Sequence, residues 1–451
     1  MATIDDVPID RHSEPEGGSA AAPAAAPPSP LMLLLAFGGL AASLVAGYGA
    51  LFTIVDDYNT EYGISESQVG IIISVGFLSG FLSQMLIAPI ADRGHARRLV
   101  IIGVLVNATG LVMMALGTSL LPILVGRFVS GVGVGAANPA IRRIVILADP
   151  DNLGNNLGRL LSADVFGFAM GPVISAILVG PLGIPAPFFV IAAVSLFLLP
   201  FVARVPVVET AIEDQPSSRL AVDLLRIRPF AGATMLAGTS FIMIGGFDAL
   251  WALVHDELET PEWIANLGIT LFALPLIVLG PVGGRLAQTF GPFRIAAIGL
   301  FGGAGFMFGY GLMPTGIAIF ALSLFHALND GFTIASTGVA AGLVVPEERQ
   351  AGAQGMLGAS QAVMAGVMAL VTGYIYEWFG RTAAYSLVAG VMVVLTTLGL
   401  WLAKDAWRLT RPLGSATGAD DGVDEGPDGA IGSTLGSTTG DPSDPIGVID
   451  R

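Results

Sequence analysis

Long apolar stretches separated by short polar turns dominate the pattern of this chain. A bilayer core about 30 Å thick needs about 20 apolar residues in a helix, and by that measure the sequence predicts twelve membrane-spanning helices. The first six are expected near 31–54, 69–91, 98–118, 120–146, 156–180 and 185–203. The other six are expected near 229–254, 264–286, 294–313, 315–345, 350–376 and 382–404.

A longer polar interruption divides these spans into two sets of six. It predicts an N-terminal six-helix bundle at 31–203, a cytoplasmic linker at 204–228 and a C-terminal six-helix bundle at 229–404. The flanking segments 1–30 and 405–451 are polar and hold too few apolar residues to form a core. They are therefore predicted to be disordered cytoplasmic tails, and the second tail is acidic.

Two polar turns indicate that the halves arose by duplication. The first, Ala88–Arg98, reads A-P-I-A-D-R-G-H-A-R-R, and the second, Gly284–Arg294, reads G-R-L-A-Q-T-F-G-P-F-R. The repeat and the twelve spans predict an all-α membrane protein built from two pseudo-symmetric six-helix bundles. A single shift of 196 residues aligns Asp92 with Gln288, Arg98 with Arg294, Gly135 with Gly331 and Pro150 with Pro346.

Composition supports a membrane protein and excludes several kinds of chemistry. The chain is 53% hydrophobic and 12% charged, whereas soluble domains carry about 25% charged residues. It has no cysteine, which excludes disulfides, thiolate metal sites and cysteine nucleophiles, and its four histidines are dispersed. Without a phosphate-binding loop, a dinucleotide loop or a nucleophile elbow, we expect no enzymatic activity, cofactor, metal or nucleic-acid partner.

The placement of arginine predicts the orientation in the membrane. With both termini inside, 18 of the 20 basic residues fall on the cytoplasmic side or at its helix ends, as the positive-inside rule requires. Arg127 then lies within a span, and Arg381 faces outward. We expect a multi-pass protein of the plasma membrane with both termini in the cytoplasm.

The first turn resembles a motif of the major facilitator superfamily, and the resemblance extends over residues 31–404. The family turn is commonly G-x-x-x-D-R-x-G-x-R-R, and this chain keeps its charged positions but has Ala88 and His95 in place of the two glycines. The resemblance implies a cytoplasmic latch in the outward-open state, whereas a simple topological anchor would explain the arginines but not the acid. The latch residues implied are Asp92, Arg93, Arg97 and Arg98.

Span five resembles the antiporter signature on helix five of the same family. The frame G-x8-G-x3-G-P-x2-S-A contains Gly158, Gly167, Gly171 and Pro172, and departs from the family only in its last two positions. Small residues and a proline permit close packing and a bend, so ordinary helix packing is the alternative. The asymmetric signature resembles twelve-helix drug:proton antiporters, although the acid often found midway along helix one of that branch is absent.

Ionisable groups inside the spans are candidates for coupling or substrate binding, because charge at membrane depth is costly. Arg127 on span four belongs to an R-x-x-x-G element that resembles the family's, or else it caps carbonyl groups between helices. Asp164 on span five and Asp330 on span ten are candidate proton carriers, and His326 lies one turn before Asp330. The alternatives are an ion pair between Asp164 and a nearby arginine, and a packing role for Asp330.

These features favour a secondary active transporter that works by alternating access and exports a small lipophilic compound in exchange for protons. The alternatives are a proton- or sodium-coupled symporter for a polar metabolite and a non-transporting membrane sensor. The expected partners are a small-molecule substrate, a coupling ion (the proton) and the lipid bilayer, and a monomer is expected.

Overall fold

The computed structural model describes residues 30–51 and 53–413, a stretch made of helices and connecting segments without a β-strand. Both predicted tails fall largely outside it, at 1–29 and 414–451. The helices of the first half are α1 (Pro30–Ala50), α2 (Val55–Tyr62), α3 (Glu66–Leu86), α4 (Ala96–Leu116), α5 (Leu120–Ala148), α6 (Leu153–Leu182) and α7 (Pro185–Arg204). Those of the second half are α8 (Arg228–Glu257), α9 (Glu262–Phe290), α10 (Pro292–Leu312), α11 (Gly316–Thr333), α12 (Ala335–Val344) and α13 (Gln350–Leu402).

These helices account for twelve membrane spans. Ten helical segments in the described part are long and apolar enough to cross a membrane, and Leu35–Ala50 in α1 is a shorter apolar helix. One of the ten, Glu347–Leu402, has 56 residues. It holds two spans because Gly380 interrupts the helix with φ 77° and ψ 178°, a backbone conformation that is essentially restricted to glycine.

Span ten corresponds to α11 and α12 together, which join at Ile334 with helical dihedral angles (φ −60°, ψ −39°) and form one apolar segment, Gly316–Val344. One detail differs from the predicted spans. The connection between spans one and two contains the short polar helix α2, which is anchored by the fully buried ring of Tyr58. Its sequence V-D-D-Y-N-T-E-Y is too polar to extend the first span, so hydropathy alone did not indicate a helix there.

The two halves repeat the same helix pairings. In the first half α1 packs on α6 and α7, α3 on α5, and α4 on α5 and α7. In the second half α8 packs on both parts of α13, as the contacts of Gly245 with Ala365 and of Gly232 with Gly399 show. Helix α9 packs on α11, and α10 packs on α11 and α13. The equivalent pairings give two pseudo-symmetric bundles. Their packing relies on van der Waals contact, since lipid tails are as apolar as the helix surfaces.

The two halves meet at the end of the molecule where both polar turns lie. We call it the basic end, because it carries several arginines: Arg93, Arg143, Arg285 and Arg349. Two helix crossings lie there, α6 with α9 and α3 with α13. In the first crossing the backbones touch: a Cβ on Gly284 would overlap the carbonyl of Gly154. In the second, a Cβ on Gly355 would lie 2.8 Å from the carbonyl oxygen of Gln84.

Candidate functional site

Asp92 caps a helix that belongs to the other half of the molecule. The 3-10 helix Ala88–Arg93 carries it, and its carboxylate oxygens accept hydrogen bonds from the backbone N–H groups of Ala351 at 2.8 Å and Gly352 at 2.7 Å. Both amides lie in the first turn of α13, where N–H groups lack partners within the helix and the helix dipole favours a negative charge. Asp92 is only 1% exposed, so this contact joins the halves in a buried site.

The charged partner of Asp92 is Arg143 on α5. Its Nε lies 3.3 Å from Oδ1 of Asp92, and both side chains are almost fully buried. The terminal nitrogens of the same guanidinium donate to the Val208 carbonyl at 2.9 Å and to Thr210 Oγ1 at 2.6 Å. The sequence does not indicate this role for Arg143, because nothing in its spacing separates it from the other arginines at this end.

The three arginines predicted to form the latch with Asp92 make other contacts, which corrects that part of the prediction. Arg93 donates to the Pro216 carbonyl at 3.1 Å, Arg97 donates to the Val205 carbonyl at 2.6 Å, and Arg98 is exposed. The side chains of Arg97 and Arg98 leave from the first turn of α4, beyond a bend at Gly94 with φ 75°. They therefore start on the far side of this bend from Asp92.

The linker between the halves is bound at both of its ends. Near its start, the Glu209 carboxylate accepts hydrogen bonds from the backbone N–H groups of Ala96 and Arg97, each at 2.9 Å, and so caps α4. Near its end, Asp223 forms a two-pronged ion pair with Arg349 at 2.6 and 2.8 Å. Hydrogen bonding from Arg349 lowers the pKa of Asp223, so this pair stabilises the fold above the ordinary pKa near 3.8 and is lost as pH falls through the lower value.

Gln288, the counterpart of Asp92, caps the equivalent helix of the first half. Its side-chain oxygen accepts from the backbone N–H of Gly154 at 2.6 Å, in the first turn of α6. Its amide nitrogen donates to the Asp151 carbonyl at 2.7 Å. Beside it, Arg285 Nε donates to Asn155 Oδ1 at 2.9 Å. Each polar turn therefore caps a helix across the boundary between the halves, one with a charged group and one with a neutral group.

The antiporter-like glycines of α6 lie in two different environments. A Cβ on Gly158 would overlap the carbonyl of Gly280 on α9, so this glycine lies at the boundary between the halves. Gly167 and Gly171 instead lie against the backbone of α1, and Pro172 follows directly within the helix. Gly167 and Gly171 therefore pack within the first half, and of these glycines Gly158 is the one that contacts α9.

Arg127 lies on α5 against aromatic side chains of the first half. It is 5% exposed, and its guanidinium carbon lies 5.1 Å from the centroid of the Tyr48 ring. The guanidinium also packs on α3, where a Cβ on Gly76 would overlap it. Within the described residues its Nε has no hydrogen-bond partner.

Asp164 on α6 is paired within its own half. Its Oδ2 lies 2.9 Å from a terminal nitrogen of Arg142 on α5. The pair is partly exposed, with 17% of the acidic side chain and 27% of the basic one accessible. Of the two interpretations left open by the sequence, the geometry therefore corresponds to the ion pair.

Asp330 and His326 form the core of a buried polar cluster in the second half. His326 Nε2 lies 3.6 Å from Asp330 Oδ1, and both side chains are at most 2% exposed. The other ring nitrogen, Nδ1, shares a hydrogen bond with Tyr310 Oη at 2.9 Å. Asn329 Nδ2 donates to the same carboxylate oxygen at 3.2 Å and to the Gly299 carbonyl at 3.0 Å. Phe306 stacks on the histidine ring, with the two ring centroids 4.9 Å apart. These contacts fix the position of the ring.

One carboxylate oxygen of this cluster is left without a protein partner. Asp330 Oδ2 is buried and has no hydrogen-bond donor among the described residues. Asp330 lines a cavity about the size of one water molecule, near Ile334, where α11 and α12 join. A buried carboxylate is costly when charged and unpaired, and the ion pairs of the described part give Asp330 no partner but His326. The cluster can therefore hold and release a proton without forming or breaking an arginine pair.

Comparison with other proteins places this architecture in a family. The sequence profile of the Major Facilitator Superfamily matches residues 31–260 and 233–422. The structure of the proton:xylose symporter XylE, bound to 6-bromo-6-deoxy-D-glucose, superposes with a TM-score of 0.69 at 15% identity. That superposition covers 85% of this chain and 97% of the other, which shows a shared fold.

Curated relatives match over shorter stretches. The triacylglyceride transporter of Mycobacteroides abscessus is 26% identical over 292 residues, which are 59% of this chain and 53% of that protein. The quinolone resistance protein NorA of Staphylococcus aureus is 23% identical over 131 residues, which are 28% of this chain and 33% of that protein. The chain thus spans about a third to a half of the length of these two relatives. The profile match over both halves and the shared fold establish that this chain belongs to the major facilitator superfamily.

Proposed function

We propose that this protein is a secondary active transporter that exports a small lipophilic compound in exchange for protons. The observation that carries the proposal is the buried Asp330–His326 pair, which has no arginine partner within the described residues. The names of two relatives, a quinolone resistance protein and a triacylglyceride transporter, support a lipophilic substrate.

Asp330 is a better candidate for the coupling acid than Asp164. Asp164 already holds an ion pair with Arg142 at 2.9 Å, and neutralising one member of such a pair leaves an uncompensated cation in the membrane. Asp330 faces no such penalty, because its neighbours are neutral donors and a histidine. In the proposed cycle Asp330 takes up a proton when the cavity opens to the more acidic side and releases it on the other side.

The two caps at the basic end support alternating access. Asp92 and Gln288 each bind the first turn of a helix in the opposite half, so the basic end is closed while both contacts persist. Under the positive-inside rule this end is cytoplasmic, and the described conformation then faces outward. Opening to the cytoplasm requires both caps to release their helices.

Proton flux in proteoliposomes tests the proposal. Vesicles that contain the protein and a pH-sensitive dye are given an acid interior, and lipophilic cations, sugars and organic acids are then added outside in turn. We expect a lipophilic compound to speed the loss of the gradient, and we expect Asp330→Asn to abolish that response. Asp164→Asn is the matched control and should retain substrate-dependent proton movement, even if it transports more slowly.

Two other outcomes would contradict export. If sodium, or an inward proton gradient, drives uptake of a polar solute, the protein is a symporter for a polar metabolite. If no solute or proton moves but a cellular response depends on residues 415–451, the protein is a membrane sensor. Deleting those residues separates the cases, since a transporter should keep its flux.

A further inference from the structure

The segment that follows α13 runs back across the basic end to the first half. After the short 3-10 helix Lys404–Ala406, the chain continues to Leu413 without helical structure. The carbonyl oxygen of Leu409 lies beside the turn at Gly291, 3.3 Å from where a Cβ would stand. The segment Leu409–Pro412, called here the C-terminal strap, therefore lies over the second polar turn.

Three contacts hold the C-terminal strap, and one of them reaches the first half directly. The backbone N–H of Arg411 donates to the Gln288 carbonyl at 2.9 Å. The Gln288 side chain donates to the Pro412 carbonyl at 3.3 Å. The guanidinium of Arg411 lies 3.1 Å from the carboxylate of Asp151, in the segment just before α6. The strap thus connects the end of the second half to the start of α6.

Gln288 lies at the centre of this arrangement and uses its side-chain oxygen, its side-chain nitrogen and its backbone carbonyl. Its side-chain oxygen caps α6 at Gly154, its amide nitrogen binds the carbonyl groups of Asp151 and Pro412, and its own carbonyl binds Arg411. A carboxylate could accept from Gly154 but could not donate to two carbonyl groups. This accounts for glutamine at the position that corresponds to Asp92 in the first turn.

We propose that Gln288 and the C-terminal strap form a second closing contact, which holds α6 of the first half against the second half and keeps the basic end closed. The strap differs in this from the linker, whose early residues bind Arg93, Arg97 and Arg143 of the half they have just left. The strap therefore breaks when the halves separate, whereas those linker contacts can persist. The inference relies on alternating access but not on the substrate or the coupling ion.

Accessibility of a single cysteine at the boundary between the halves tests this role. The chain has no cysteine, so Ser162→Cys on α6, whose hydroxyl faces Gly280 of α9, gives one labelling site. In vesicles that expose the basic end, a membrane-impermeant maleimide should label this site only when the halves separate. No substrate is needed, so a wrong assignment of the transported compound would not affect the result.

Deletion of 409–451 should raise the labelling rate about fivefold or more, because several hydrogen bonds favour the closed state. Deletion of 414–451, which leaves the strap intact, should not change it. Gln288→Glu, which keeps the acceptor for Gly154 and loses both donated bonds, should raise the rate as well. Arg411→Ala should give a smaller rise, since its ion pair is exposed, and Arg408→Ala is its exposed control.

Equal labelling rates for the full chain, the 409–451 deletion and Gln288→Glu would overturn the proposal. The variants must elute as the full chain does on size exclusion in detergent. If only the deletion variant fails this check, the labelling rates of the point variants decide the outcome. Gln288→Glu is then compared with the full chain, and Arg411→Ala with its control Arg408→Ala. Gln288→Asn still carries a side-chain amide and no charge. Slow labelling of this variant would further separate the effect of the donated hydrogen bonds from the effect of the negative charge in Gln288→Glu.

Discussion

At the scale of single residues, the two caps differ in their chemistry although they hold equivalent helices. Asp92 is a carboxylate with a buried arginine beside it. Gln288 is neutral, and Val339 occupies the position that corresponds to Arg143 after the shift of 196 residues. A buried charge is retained when a cation and backbone donors surround it, so the acid and Arg143 form one unit, which the second half lacks.

We therefore expect Asp92→Asn to damage the cycle more than its small change in shape suggests. The asparagine oxygen can replace one of the two hydrogen bonds to α13, but its amide leaves Arg143 without an anion. Turnover should fall about tenfold while the apparent KM changes little, since a loss of about 1.4 kcal/mol in the closed state corresponds to that factor. Transport rates over a range of substrate concentrations measure this, and an unchanged rate would favour a topological anchor.

Some of this chemistry was accessible from the sequence, and some was not. The turn, its acid and the buried candidates Arg127 and Asp330 follow from ionisable groups placed in or beside apolar runs. The partner of Asp92 lies about 260 residues further along the chain, and the local pattern around Ala351 contains nothing that reveals it. Arg143 and Arg142 are adjacent in sequence, yet one pairs with Asp92 and the other with Asp164.

At the scale of helices, the crossing of α6 with α9 depends on glycine at four positions that face one another: Gly154, Gly158, Gly280 and Gly284. These glycines allow direct backbone contact, and an added methyl group would force the helices apart. The closed basic end therefore has steric requirements as well as hydrogen bonds.

Gly284→Ala should prevent full closure of the basic end. Its methyl group would overlap the Gly154 carbonyl, and such overpacking typically costs about 1–3 kcal/mol. Labelling of Ser162→Cys from the basic end should therefore rise about fivefold or more. Gly366→Ala on α13, where a Cβ meets open space, should label at the original rate, and equal rates for both variants would show that the crossing tolerates separation.

Helix α4 begins with a cap supplied by the linker rather than by its own neighbour. Glu209→Ala should therefore destabilise the first bundle by about 1 kcal/mol, the usual effect of losing a capping side chain. Thermal unfolding in detergent measures this change, with Glu213→Ala as the control at an exposed linker acid. A similar melting temperature for both variants would mean that the cap does not contribute to stability.

Membrane-spanning helices were predicted better than the short polar helix between spans one and two. Apolar runs of the right length located the spans, because the membrane imposes that length. Helix α2 was not predicted, because its sequence is polar and hydropathy alone does not indicate such a helix.

At the scale of the whole molecule, the repeat predicted the arrangement of the halves but not the conformation in which they meet. The shift of 196 residues relates both polar turns and leads to two equivalent bundles. Closure at the basic end depends on pairs such as Asp92 with Gly352 and Gln288 with Gly154. A single sequence contains both partners of each pair but no sign that they touch.

The proposed orientation makes a direct prediction for labelling in cells. Ser217→Cys, exposed in the linker, should react with an impermeant maleimide only in inverted membrane vesicles. Glu262→Cys, exposed at the start of α9, should react only in intact cells. The reverse pattern would place the basic end outside and would turn the proposed cytoplasmic closure into an extracellular one.

Because the polar turns cap helix ends, opening of the basic end also requires water to bind the backbone amides that the caps release. When Asp92 and Gln288 leave their helices, the amides at Gly154, Ala351 and Gly352 lose their protein acceptors, and water must take their place. The inward-facing state should therefore contain more ordered water than the closed one. Impermeant osmolytes on the basic side, which lower water activity, would then favour the closed end and link the transport rate to the osmotic state of the cell.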